Sequence, residues 1–202
     1  MKYLKLSYLL ILFFTGEKLF SKENTFQVGI GYSLISAPTD LGKFWQPGLT
    51  INGGVSFNIG NIKYLTILGY QFAYFDDQKW LTSNKNTSAF KTISNNSGIT
   101  YYYFGENIVW SPQSKSPFAI YVESGFGYFF SSHGETLAKD DSLNLLIKPG
   151  ATKPAIQFNA GGGLRININK TGVVAIIGMR QVFALTKPQT TRFMPIFVSI
   201  EF

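Results

Sequence analysis

The stretch Met194-Pro-Ile-Phe-Val-Ser-Ile-Glu-Phe202 decides the fold. Met194, Ile196, Val198, Ile200 and Phe202 fall on one side of an extended chain, and Pro195, Phe197, Ser199 and Glu201 on the other. Period-two alternation marks a strand with two unlike faces. Here one face is wholly apolar and the other mixed. A closed sheet with hydrocarbon outside and a mixed interior suits such a strand.

The same pattern recurs upstream. Phe26, Val28, Ile30, Tyr32 and Leu34 alternate with Gln27, Gly29, Gly31 and Ser33. Leu49, Ile51, Val55, Phe57 and Ile59 oppose Thr50, Asn52, Gly54, Ser56 and Asn58. A third strand, over about residues 62–75, sets Tyr64, Leu68, Tyr70, Phe72 and Tyr74 against Leu65, Ile67, Gly69, Gln71 and Ala73. A fourth ends in Ile99-Thr-Tyr-Tyr-Tyr-Phe104, with a polar upstream half (residues 91–97) and an ambiguous phase. The fifth, over 118–130, turns Phe118, Ile120, Val122, Phe126, Tyr128 and Phe130 outward. The sixth spans 156–168 and the seventh 173–185, the latter phased mainly by Arg180 facing inward. The eighth reaches Phe202. Eight is an even count that closes a small barrel with both ends of the sheet on one side. The expected fold is all-β: an eight-stranded antiparallel up-and-down transmembrane β-barrel.

The connections sort into two sets. Residues 35–47, 76–90, 131–155 and 186–191 are mostly long and polar. Residues 60–61, 105–117 and 169–172 are mostly short, with 105–117 the exception. Long external loops and short periplasmic turns are the usual asymmetry of outer-membrane barrels. Closure is a physical need, because an unpaired backbone group in hydrocarbon costs several kcal/mol.

Composition agrees. The chain has 202 residues, 16% aromatic and only 14% charged, with no cysteine. A soluble domain carries about 25% charged residues. A soluble barrel would place charges opposite its apolar face. Here those positions hold Gly, Asn, Ser, Thr and Gln, which suit a narrow polar interior. Lys2 and Lys5 precede the apolar run Leu6 to Phe14, which is too short to span a membrane and about right for an export signal. Residues 1–21 are read as that signal and 22–202 as the barrel domain. The formal charge of +7 favours anionic lipid headgroups. The basic residues are scattered and form no phosphate-tracking stripe, so nucleic acid is not an expected partner.

An eight-stranded interior holds side chains and little else. Tyr121, Phe129, Arg165, Arg180, Phe193 and Phe197 should plug it. Glu123, Glu201, Arg165 and Arg180 are expected to form an interior polar network, since buried charges need partners. Tyr32, Tyr64, Tyr74, Trp110, Tyr128 and Phe202 are candidates for the interfacial aromatic girdles. The single histidine, His133, lies in Ser131-Ser-His-Gly-Glu135 at the expected outer rim. Ser131, His133 and Glu135 are the ingredients of acyl transfer. Near neighbours on an extended chain rarely converge, so the plain polar loop is the preferred reading. One histidine and no cysteine do not make a zinc site. Asp76-Asp77 and Asp140-Asp141 match no spaced calcium loop. No metal or other cofactor is expected.

The alternating strands, the export segment and the closing aromatic resemble the small outer-membrane β-barrel proteins of Gram-negative bacteria, the OmpA/OmpX-like barrels. That resemblance implies an outer-membrane location and contact with outer-membrane lipids and lipopolysaccharide. It also implies insertion by the outer-membrane assembly machinery, which reads a C-terminal aromatic signal. The second half, at residues 117–130 and 158–168, also faintly resembles outer-membrane lipid A deacylases. Their His-x-Ser pair has no counterpart in Met179-Arg-Gln-Val-Phe-Ala-Leu-Thr186, so no catalytic residue carries over. The leading expectation is therefore a non-enzymatic barrel with a plugged interior, whose long loops serve structural, binding or surface-protection roles, including an extracellular ligand. The alternatives are a lipid A-modifying hydrolase and a narrow small-solute or ion channel.

Overall fold

The computed structural model describes residues 24–37, 44–59, 62–84, 92–95, 98–112, 116–134, 136–139, 144–148, 151–168, 172–187 and 190–202. The expected export signal and Glu135 lie outside these residues. Eleven strands and one helix are present among them. In chain order they are β1 (Thr25–Ala37), β2 (Gly48–Ile59), β3 (Ile62–Ala73), α1 (Asp77–Asn84), β4 (Thr92–Asn95), β5 (Ile99–Trp110), β6 (Phe118–His133), β7 (Thr136–Lys139), β8 (Asn144–Lys148), β9 (Ala151–Ile168), β10 (Val173–Ala184) and β11 (Thr191–Glu201). Eight of them close one antiparallel barrel in the order β1-β11-β10-β9-β6-β5-β3-β2. The remaining three form a separate sheet, β4-β7-β8.

Closure joins β1 to β11 in a continuous register from Gln27 opposite Glu201 to Ile35 opposite Phe193. Phe26 and Phe202 exchange backbone hydrogen bonds at 2.8 and 2.9 Å, so the ladder runs to the last residue. Thr25 and Phe202 mark the lower rim of the barrel, and the opposite end is the upper rim.

The pleat sends side chains alternately to the outer face and the lumen. Val28 is 55% exposed, Leu68 62% and Phe126 62%, while Gln71, Phe129 and Phe193 are fully enclosed. Large apolar residues thus cover the outside and a mixed set fills the inside, the reverse of a water-soluble barrel. Strands of 11 to 13 residues such as β1, β2 and β11 are long enough, when tilted, to cross a bilayer.

Two local devices hold the ladders. Gly172 opens β10 at a φ of 78°, a left-handed turn that a side chain would strain. Pro195 sits within β11, where it has no N–H to give. The β10–β11 ladder is interrupted there, between Met179–Ile196 and Val182–Phe193, with its register unchanged. The Gln181 side chain bridges the gap by donating Nε2–H to the Phe193 carbonyl at 3.2 Å.

The fourth barrel strand differs from expectation. It runs Ile99–Trp110, not over 91–104, and it turns Tyr101, Tyr103, Asn107 and Val109 inward. Residues 105–110 of the anomalously long lower connection at 105–117 are therefore strand. Alternation across Tyr102, Phe104 and Glu106 is masked in sequence by aromatics on both faces. Residues 92–95 leave the barrel and join the small sheet instead. The external loops are also more ordered than a coil reading implies. Residues 76–90 contain α1, and 131–155 carries β7, β8 and extensions of β6 and β9 past the girdle.

Candidate functional site

The lumen is built in storeys, each from residues of matched height on adjacent strands. At the lower rim, Glu201 of β11 accepts from Lys63 Nζ of β3, and from Arg165 Nη2 of β9 at 2.9 Å. In the middle, Glu123 of β6 and Arg180 of β10 face each other across β9. Arg180 Nε and Nη2 donate to the two carboxylate oxygens at 2.8 and 2.9 Å. This fork-to-fork geometry is the strong form of an ion pair. Asn107 Nδ2 adds a donor to Glu123 Oε2 at 3.1 Å, and Asn159 Nδ2 in turn donates to Asn107 Oδ1 at 3.1 Å. The Arg180 guanidinium also lies 5.2 Å from the centre of the Phe197 ring.

Two close approaches allow this packing. Gly178 leaves room for the Tyr121 hydroxyl, and Gly69 for the Tyr103 ring; a β-carbon at either would collide. Above them sits an aromatic cap. The Tyr101 and Phe193 rings stack at 5.4 Å and 12°, and Phe129 lies 5.1 Å from Tyr101 and 5.6 Å from Phe193. The lower and middle charge groups leave between them room for about one water molecule. The arrangement can hold the wall together; it offers no open passage for a hydrated solute.

The four charged residues expected from sequence thus divide into two clusters, one around Glu201 and one around Glu123. Lys63 joins them unexpectedly. Its parity with Leu65 and Ile67 was the available signal, but a lysine at a strand's second residue reads as a rim charge. With it, among the described residues, these two clusters hold three cations against two carboxylates.

The girdle candidates all point outward. Tyr64, Trp110 and Phe202 fall near the lower rim, and Tyr32, Tyr74 and Tyr128 in the upper half. Trp110 ends β5 rather than sitting in a connection. Ring pairs run along this surface, with Phe57 on Tyr64 at 5.2 Å and Phe72 on Tyr74 at 4.6 Å.

Ser131 and His133 both lie in β6, opposite Tyr101 and Ile99 in the ladder. Ser131 is buried just above Phe129. His133 Nδ1–H donates to the neighbouring Gly134 carbonyl at 3.1 Å. Among the described residues, no three His, Cys, Asp or Glu side chains are grouped to hold a metal ion.

The upper rim carries basic side chains. Lys153 of β9 donates to the Lys187 carbonyl at 3.2 Å, and Arg192 of β11 lies over the Phe183 ring at 5.8 Å. Arg192 and Phe183 are on the outer face.

No family model and no curated protein sequence matches the chain. Solved structures do. Neisserial surface protein A (NspA) superposes with a TM-score of 0.61 at 11% identity, over 88% of this chain and 95% of that one. Ail, the attachment invasion locus protein of Yersinia pestis, gives 0.47 at 12% identity, over 89% and 98%. A major outer membrane protein of Thermus thermophilus gives 0.46 at 14%, over 89% and 99%. At such identities it is the fold that is shared, and the NspA superposition carries that conclusion: the chain is a small closed barrel of the kind built by outer-membrane proteins.

Proposed function

We propose that this is a non-enzymatic barrel of the outer membrane, inserted there by the assembly machinery after its export signal is removed, and that it works at the cell surface through its external loops. The observation that carries this reading is the contrast between a closed tube and an organised crown. Two ion-pair clusters and an aromatic cap fill the lumen. Beyond the tube, residues 92–95, 136–139 and 144–148 build a sheet of their own. A three-stranded sheet presents a defined surface, which suits recognition or shielding better than a coil would.

The basic upper rim supports contact with outer-leaflet phosphates. Arg192 faces outward at the height where lipopolysaccharide headgroups would lie, and Lys153 and Lys187 stand nearby. The aromatic girdles support the same depth.

The experiment removes residues 136–148 and closes the gap with a short glycine-serine turn. Heat-modifiable migration checks that the barrel still forms. Cells carrying the intact or shortened barrel are compared for adhesion to coated surfaces and for survival in detergent. Loss of either trait with the barrel intact is expected. Unchanged traits, stepwise conductance of the purified protein in planar bilayers, or acyl release from lipid A that depends on His133 would each overturn the reading.

A further inference from the structure

Away from the rims, the outward-facing polar side chains among the described residues are Thr66, Glu106, Ser124 and Gln181. Gln181 is accounted for, because it mends the ladder beside Pro195. The other three gather on adjacent strands. Thr66 of β3 lies directly opposite Glu106 of β5, and Glu106 lies opposite Phe126 of β6, two residues from Ser124.

Glu106 is the anomaly. It stands four residues above Trp110 on β5. Strand rise and tilt put that at roughly 10 Å above the lower girdle, well into hydrocarbon. A hydroxyl meets its carboxyl: Thr66 Oγ1 donates to Oε2 at 2.8 Å and to Oε1 at 3.1 Å. Ser124 Oγ donates to the Asn159 carbonyl at 3.2 Å. An ionisable group at such a depth is costly and is a functional-site hypothesis by default. It contributes nothing to the lumen, where the charged residues sit on the opposite face of the wall.

The surface around it is also not smooth. A groove beside it is lined by Ile108, Trp110, Ser124, Gly125, Phe126 and Phe158. Small residues beside large ones allow a ridge of one surface to enter the hollow of another.

We propose that this face of β3, β5 and β6 is a self-association surface, where two copies of the chain meet in the membrane plane around Glu106. The inference rests on the proposed membrane location of the barrel. A second copy is favoured because the patch complements itself. The carboxyl retains acceptor capacity beyond Thr66, and when protonated it is also a donor. A twofold-related copy presents the same acid and the same hydroxyl at the same depth, as an isologous contact requires. Acyl chains supply neither donor nor acceptor. The opposite wall, with Ile196, Val198 and Ile200 of β11, is uniformly apolar and suits lipid.

The chain has no cysteine, so single cysteines report cleanly. The full barrel is inserted into phosphatidylcholine vesicles as Ser124→Cys, or as Val198→Cys on β11, the strand diametrically opposite β5, and treated with a short bifunctional thiol cross-linker. Heat-modifiable migration is read on the same samples. At least about fivefold more cross-linked dimer is expected from Ser124→Cys, the ratio that one modest polar contact in lipid gives. Adding Glu106→Leu should abolish the excess, and Glu106→Gln, whose amide is also self-complementary, should keep it. Equal cross-linking at the two positions, or an excess indifferent to Glu106→Leu, in a barrel that is inserted and heat-modifiable overturns the self-association alone. Failure to insert at all would overturn the membrane-barrel reading and this inference with it.

Discussion

From the lower rim to the middle of the barrel the lumen is held by Lys63 and Arg165 on Glu201, and by Arg180 on Glu123; above them, by the rings of Tyr101, Phe129 and Phe193. Both halves are full, but their fillings respond differently to damage. A buried ion pair gains little over a well-packed apolar pair, yet losing one partner strands the other charge. An aromatic cap loses only area and contacts when a ring is cut away. The enclosed middle pair is therefore brittle and specific, and the aromatic cap more tolerant.

The largest effect should come from the middle pair. Glu123→Leu leaves Arg180 enclosed with no carboxylate, and urea unfolding in vesicles should show a loss of about 3–5 kcal/mol. Adding Arg180→Met should restore most of it. A double variant as weak as the single one would mean that a stranded charge is not what makes the middle pair brittle.

Phe193→Ala comes next. It removes the ring that touches Tyr101, Tyr103 and Phe129. A cost of about 3 kcal/mol is expected from the lost area and the cavity alone. A loss larger than that of Glu123→Leu would invert the comparison.

Glu201→Gln should cost about 1.5 kcal/mol. Of its two partners Lys63 is enclosed, but Arg165 is more open than Arg180, with side-chain exposures of 18% and 2%, so water can replace part of what is lost. The same unfolding measurement checks it, and a loss equal to that of Glu123→Leu would mean that depth in the tube does not matter.

The smallest effect sharpens a second contrast, tube against crown. Removing residues 136–148 should change barrel stability by no more than about 0.5 kcal/mol, because their sheet pairs with 92–95 and not with the barrel. A fall of several kcal/mol would show the crown to be a brace.

Much of the tube is legible in the sequence. The outward rows Phe26 to Leu34, Phe118 to Phe130 and Met194 to Phe202 can be read from parity alone, because the first and last have an unbroken apolar face and the second is interrupted only at Ser124. The fourth strand resists that reading. Tyr101, Tyr102 and Tyr103 put an aromatic on both faces, and the polar stretch at 91–97 looks like its first half. The true strand extends through Glu106, a charged outward residue that parity rules would place inside. The candidate site is partly legible: inward parity names Glu123, Arg165, Arg180 and Glu201. It does not say which pairs with which. Arg165 and Arg180 lie on neighbouring strands, and which carboxylate each meets depends on strand tilt and register.

Composition and period thus determined the class of object: an alternating chain poor in charge, with enough strands to close, has one way to satisfy its backbone in hydrocarbon. Tertiary structure alone decided the division of the charges into two clusters, the addition of Lys63, the closing of the lumen by three rings, and the meeting of Thr66 with Glu106 on the outside. Those are contacts between strands far apart in the chain. Alternation says which face a side chain takes, while only the register between strands says how high it sits and what stands beside it.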